Sequence, residues 1–176
     1  MHLFITILLI IGSLIILLLI LGLLMKKSHY VKREILINAP LQKVFDYIRL
    51  LKNQDTFNKH AMAGPERQKS FKGTDGEIGY IYSWSGDKSV GMGEKEIKRI
   101  VEGKLIETEI RFTKPMKVSA TIIMEAEPLS DNQTRVSWSN GGRLNFPINL
   151  FIPIMERSVS KDMDNSLSNL KTILEK

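Results

Sequence analysis

The sequence predicts an α+β protein, a curved antiparallel sheet of about seven strands around a long C-terminal helix, preceded by one transmembrane helix. Three observations predict it. Residues 1–25 carry no charged side chain and 20 of the 25 are apolar, whereas all 25 Lys+Arg and all 19 Asp+Glu lie in the other 151 residues. From about residue 66 to residue 142, apolar and polar residues alternate, the period of half-buried strands. In the last 30 residues Ile148, Ile152, Met155, Val159, Met163, Leu167, Leu170 and Leu174 recur by threes and fours, one apolar helical stripe.

The apolar run from Leu3 to Met25 is 23 residues long. As a helix at 1.5 Å per residue it spans roughly 34 Å, enough for a hydrocarbon core of roughly 30 Å. A cleaved signal peptide wants a basic start, a shorter apolar core and a small-x-small cleavage site. This run starts Met1-His2 and ends Leu23-Leu24-Met25-Lys26-Lys27, so residues 1–25 read as an uncleaved anchor. Lys26, Lys27, Lys32 and Arg33 flank the membrane on one side only. Positive charge stays inside, which predicts a single-pass membrane protein with a cytoplasmic domain. Residues 26–34 read as a basic juxtamembrane linker and 35–176 as the domain.

The formal net charge is +6, and residues 26–34 supply half of it. The flank suits anionic lipid headgroups, and the domain itself is only mildly basic. No basic–aromatic stripe suggests nucleic acid. No second long apolar run exists, which excludes a polytopic membrane protein. The absence of cysteine excludes disulfides, thiolate metal sites and a cysteine nucleophile. About 150 residues suffice for one sizeable core.

Each element has its own signal. Residues 34–38 read as a strand stopped by Ala39-Pro40, and Pro40 suits a helix start. Leu41, Val44, Phe45 and Ile48 predict an amphipathic helix over residues 41–51, with one further helical turn near residues 55–58. Strands follow at 67–71, at 78–84 and at 90–101, where the Ile97/Ile100 spacing suggests a bulge. Gly86-Asp87-Lys88 reads as a turn and Glu102-Gly103-Lys104 as a tight hairpin. Ile106 to Phe112, Val118 to Ala126 and Thr134 to Trp138 alternate as three more strands, separated by Pro115 and by Asp131-Asn132. Pro147 starts a short helical segment and Pro153 a long helix to about Leu174.

Six consecutive strands with short connections form a meander whose one face must be covered, and the C-terminal helix is the only element large enough. One helix cannot fill a strongly concave face, so a gap between sheet and helix is the expected ligand site.

Several short motifs resemble the SRPBCC superfamily, the helix-grip fold of START-related and polyketide cyclase/dehydrase-like proteins. Ile35-x-Ile37-x-Ala39-Pro40-x3-Val44-Phe45 resembles its first strand and helix. Gly76-x2-Gly79-x2-Tyr82-x-Trp84-x-Gly86, then Gly91-x-Gly93-x3-Ile97, resemble two central strands of its polyketide cyclase/dehydrase-like branch. Thr134-Arg135-Val136-x-Trp138 resembles its last strand and Asn169-Leu170-Lys171 its helix end. The resemblance covers residues 31–176. It implies the fold and leaves three functions open, since members include ligand carriers, cyclases or hydrolases, and co-chaperone-like interaction modules. The leading expectation is a small hydrophobic ligand, a lipid or polyketide-like molecule, beside a membrane. No cofactor is implied, and no protein partner is named.

The candidate cavity-lining residues are Tyr80, Tyr82, Trp84, Phe112, Trp138, Phe151 and Met155, an apolar wall with few polar handles. Met92, Met124 and Met163 would add deformable lining. No catalytic residue is assigned. His60 reads as a solvated loop histidine and the only one in the domain body, with His29 in the linker; one histidine and no cysteine disfavour zinc. Glu94, Glu96, Glu107 and Glu109 read as a solvated outer face with Lys95 and Arg111 nearby rather than as an acid–base pair. Gly91-x-Gly93 inside a strand is no dinucleotide fingerprint.

Overall fold

The computed structural model describes residues 2–62, 67–86 and 91–176, with the side chain of His60 left aside. The apolar run forms α1 (His2–Leu24), a helix long and apolar enough to cross a membrane, almost wholly exposed. β1 (Ser28–Ile37) leads into α2 (Leu41–Arg49), a 3-10 turn at Leu51–Asn53, and two single-turn helices, α3 (Gln54–Phe57) and α4 (Lys59–Met62). Six strands follow: β2 (Gln68–Lys72), β3 (Ile81–Ser85), β4 (Met92–Val101), β5 (Leu105–Lys114), β6 (Val118–Ser130) and β7 (Gln133–Arg143). A 3-10 turn at Ile148–Phe151 opens the long α5 (Ile152–Leu174).

The seven strands form one antiparallel sheet in the order β1-β7-β6-β5-β4-β3-β2. The meander is the predicted one, closed at one edge by the first strand returning beside the last. Gly103, at φ +65, sits in the tight turn between β4 and β5. The predicted bulge is present as a register shift between Ile97 and Arg99. The turn expected at residues 86–88 falls mostly outside the described residues.

Three boundaries differ from expectation. β1 begins at Ser28, not at Glu34, so most of the expected linker is sheet. Its inward positions are His29 and Val31, both buried, while Tyr30 and Lys32 point outward. The alternation is real, but the surrounding bases make it read as a polar linker. β3 begins at Ile81, because Gly76 and Gly79 adopt φ +84 and +88 and turn the chain before it. Even so, Gly79 N–H donates to Ile97 C=O (2.8 Å), and Ile97 N–H to Tyr80 C=O (3.0 Å). α2 stops at Arg49, and Asp75 takes over the next orphan donors, accepting from Leu51 N–H (2.8 Å) and Lys52 N–H (3.1 Å).

α5 lies on the concave face. Its C-terminal half buries Leu167, Leu170 and Leu174 against Ile37, Val44, Phe45, Ile48 and Val136, a dry core under one end of the sheet. Arg33 anchors the helix laterally through Asp164 (3.2 Å) and Ser160, and Lys171 Nζ donates to Leu36 C=O (2.6 Å). The N-terminal half carries the smaller load of Met155, Val159 and Met163, and below it the space stays open.

Gly93 shows how closely the wall is built. A Cβ there would lie 2.6 Å from Arg111 C=O and 2.6 Å from the Trp84 ring. The backbone oxygen cannot turn away, so Gly93→Ala should cost about 1–3 kcal/mol and displace Trp84. Urea unfolding followed by tryptophan fluorescence checks both parts; an unchanged midpoint and emission would contradict them.

Candidate functional site

The open space is a cavity of about 880 Å³ between the sheet and the N-terminal half of α5. Its apolar wall comes from every layer: Ile110 and Phe112 on β5, Ala120 and Ile122 on β6, Trp138 on β7, and Met155, Val159 and Met163 on α5. Of the seven expected lining residues, Tyr82, Trp84, Phe112, Trp138, Phe151 and Met155 come together here. Tyr80 does not. Two residues before Tyr82 and just ahead of β3, it lies in the dry core, stacked 6.5 Å from Phe71, and burial pushes its phenol up to about 12. Met163 also lines the cavity, whereas Met124 is core and Met92 lies outside this wall. An edge-to-face Trp84–Phe112 pair, centroids 5.5 Å apart, braces one side.

The wall is not wholly apolar. On the β3–β4 side, Tyr82 Oη donates to both Asp55 oxygens (2.8 and 3.0 Å). Asp55 also receives Arg67 Nη2 (3.1 Å) and Lys69 Nζ (2.7 Å). Next to it, Lys95 Nζ donates to Gln54 Oε1 (2.5 Å), both side chains buried. Across the sheet, His29 Nε2 lies 3.2 Å from Asn140 Oδ1, and both face the cavity. His29 thus belongs to the domain body and not to a linker.

Lys95 corrects the expected grouping with the outer carboxylates. Strict alternation puts Glu94 and Glu96 outside and Lys95 inside, only 7% exposed. That alternation was the available signal; the run of charges obscured it. Outside, Arg111 holds Glu94 (2.8 Å), Glu96 (2.7 Å) and Glu109 (2.5 Å), and Arg99 holds Glu107 (3.1 Å). The carboxylates therefore share guanidinium protons and do not form an acid–base pair. Gln54, Asp55 and Arg67 were not singled out by sequence, because they come from α3 and from the segment before β2, far from Lys95 in the chain.

The electrostatics follow from burial. Loss of water pulls the Lys95 ammonium from 10.5 down to about 8, and the Arg67 charge pushes the same way while Asp55 opposes. Burial raises the Tyr82 phenol, helped by its bond to Asp55. Among the described residues no group of three His, Cys, Asp or Glu could hold a metal ion.

A family model described as polyketide cyclase/dehydrase and lipid transport matches residues 28–175. The chain belongs to this family. The match begins at the first residue of β1, so the polyketide cyclase/dehydrase and lipid-transport domain includes the stretch that reads as a linker. No curated protein matches the chain. Among solved structures, norcoclaurine synthase from Thalictrum flavum, in complex with dopamine and hydroxybenzaldehyde, is 11% identical with a TM-score of 0.63, covering 89% of this chain and 92% of that one. A protein from Chromobacterium violaceum is 14% identical (TM-score 0.61, 84% and 98% covered). The Aha1 dimer from Colwellia psychrerythraea is also 14% identical (TM-score 0.56, 83% and 96% covered). At these identities the likeness is one of fold.

The lowered Lys95 pKa sets a pH dependence. Between about 8 and 10.5 the unfolded chain holds a proton on Lys95 that the folded chain has released. Stability therefore rises with pH across that window as far as Lys95 contributes. Lys95→Met removes the contribution, so its stability relative to wild type should fall by about 2 kcal/mol between pH 8 and pH 9.5. Denaturation at the two pH values tests this; a constant difference would refute it.

Proposed function

We propose that this chain is a membrane-anchored domain that binds a small apolar molecule, a lipid or a polyketide-like compound, between the sheet and α5. The observation that carries the reading is the cavity, about 880 Å³, apolar over most of its wall, with polar groups at Lys95, Arg67 and Asp55 and, across the sheet, at His29 and Asn140. That is the size and chemistry of a pocket for a small organic ligand. Its residues come from all layers of the fold, so occupancy would stabilise the whole domain.

The placement of α1 supports a ligand drawn from lipid. Only Met25, Lys26 and Lys27 separate α1 from β1. Asn149 Nδ2 donates to Gly22 C=O (2.6 Å), and Lys26 Nζ pairs with Glu156 (2.8 Å). Close to that junction, Phe151 lines the cavity yet is 62% exposed, and Ile154, three residues on, is 71% exposed; Met116, 45% exposed, also lines the cavity. Apolar side chains at the rim and a membrane-length helix packed next to them suit a mouth that faces the bilayer. The four flanking bases, Lys26, Lys27, Lys32 and Arg33, would hold that surface at the cytoplasmic headgroups.

Two measurements test the reading. An environment-sensitive lipophilic dye should bind the full chain in detergent, and Ala120→Trp, which fills the centre of the wall, should weaken binding at least about tenfold. Equal binding by both proteins would contradict a cavity site. For topology, protease added outside spheroplasts should leave the domain intact; its digestion would contradict a cytoplasmic domain.

Lys95 favours a second reading, an enzyme on the same fold. A buried amine whose pKa is lowered to about 8 can exchange a proton with a substrate held in the cavity more readily than an ordinary lysine. The Tyr82–Asp55 pair supplies a second hydrogen-bonding group. The co-chaperone-like reading draws on fold likeness alone.

A further inference from the structure

We propose that the polar side of the cavity recognises an anionic head group, the carboxylate of a single-chain amphiphile, through Lys95 and Arg67. The inference rests on the reading that the cavity takes an apolar ligand, and it adds which end of that ligand is charged and where it lies.

Around Asp55 stand three cations, Arg67, Lys69 and Lys95, against one carboxylate. Lys69 is the most exposed of the three and pairs with Asp55 directly, and Arg67 shares the same carboxylate. Lys95 has no carboxylate within 4.0 Å among the described residues; its partner is the neutral Gln54 amide. The other titratable groups facing the cavity do not restore the balance. Asp162 is paired with Lys59, His29 sits across the sheet on Asn140, and Lys114 adds positive charge.

Arg67 is buried beside Lys95 on the same wall. Its side chain is 7% exposed and lines the cavity. Nη2 is satisfied by Asp55 (3.1 Å) and by Ala61 C=O (2.8 Å), but among the described residues the buried Nε–H has no acceptor. A buried charged donor without an acceptor is costly, and such groups are normally satisfied. A buried ammonium on a neutral amide and an orphaned guanidinium N–H, on one wall of a pocket, both lack an anionic acceptor. A carboxylate has the oxygens for both, and charge-assisted bonds of this kind are the strong ones.

The rest of the cavity excludes a small free anion. Trp84, Phe112, Ile122, Trp138 and Met155 would leave it unsolvated along most of its surface. An apolar body with a carboxylate at one end matches both parts of the wall. Its arrival would also oppose the desolvation that lowers the Lys95 pKa.

The test uses the full chain in phosphatidylcholine nanodiscs with two probes, dansylaminoundecanoate and its methyl ester. Trp84 and Trp138 are the only tryptophans and both line the cavity, so energy transfer to dansyl reports occupancy. Each variant is compared with wild type in the same nanodiscs, which cancels the probes' different partition into lipid. Wild type should prefer the acid over the ester by about tenfold more than Lys95→Met does. Lys95→Arg should keep the preference. Unchanged ester binding by Lys95→Met would show that its cavity is folded. The same acid-to-ester ratio in wild type and Lys95→Met would overturn the head-group site while leaving an apolar pocket. Absence of energy transfer with both probes would overturn the pocket itself.

Discussion

A single helix laid on a concave seven-stranded sheet covers only part of it, and the rest of the molecule is arranged around that shortfall. At the C-terminal end of α5 the shortfall is met by α2, whose Val44, Phe45 and Ile48 complete a dry core with Leu167 and Leu170. At the other end none of the described residues plays this part. The 3-10 turn and the single-turn helices α3 and α4 rim the space without filling it, and a large cavity remains. Interiors are normally packed as densely as organic crystals. A void of this size therefore costs the unliganded domain stability, which the core end must supply and which an occupant would return.

The same geometry explains where polar chemistry enters. A strand that lines a cavity has no partner layer to demand an apolar residue at every inward position. Lys95 occupies such a position on β4, opposite Tyr82 on β3, and α3 brings Gln54 and Asp55 over both. In a filled core a lysine there would be excluded by desolvation. Beside a cavity it is tolerated at a lowered pKa, and with Arg67 it makes one part of the wall cationic, set against the apolar part at Phe151 and Met155. That polarity is what an amphiphile needs and what a plain hydrophobic void lacks. It also keeps proton-transfer chemistry available within the polyketide cyclase/dehydrase and lipid-transport family fold.

The order of elements, the bulge after Ile97, the hairpin at Gly103 and the break near Pro153 were legible because each depends on local periodicity or turn chemistry. Most of the apolar wall was legible for the same reason: Tyr82, Trp84, Phe112 and Trp138 fall on inward strand positions. Tyr80 shares that parity and yet lies in the core, because depth along the strand is set by where α2 and α5 pack, which periodicity does not encode. His29 and Lys95 were hidden by composition. Both sit in charged stretches where alternation is real but the inward residue is itself polar, so a hydrophobic pattern passes over it. Gln54, Asp55 and Arg67 reach the site only through tertiary contacts from α3 and the approach to β2, and no local signal marks them.

The central claim is that the space under the N-terminal half of α5 is a ligand site. Native mass spectrometry of the full chain, released from mild detergent, tests it most directly. The account predicts a discrete adduct of small-molecule mass on the wild-type protein that is absent when Ala120 is replaced by tryptophan. Wild-type protein that is uniformly bare, or an adduct equally present on the filled variant, would contradict it.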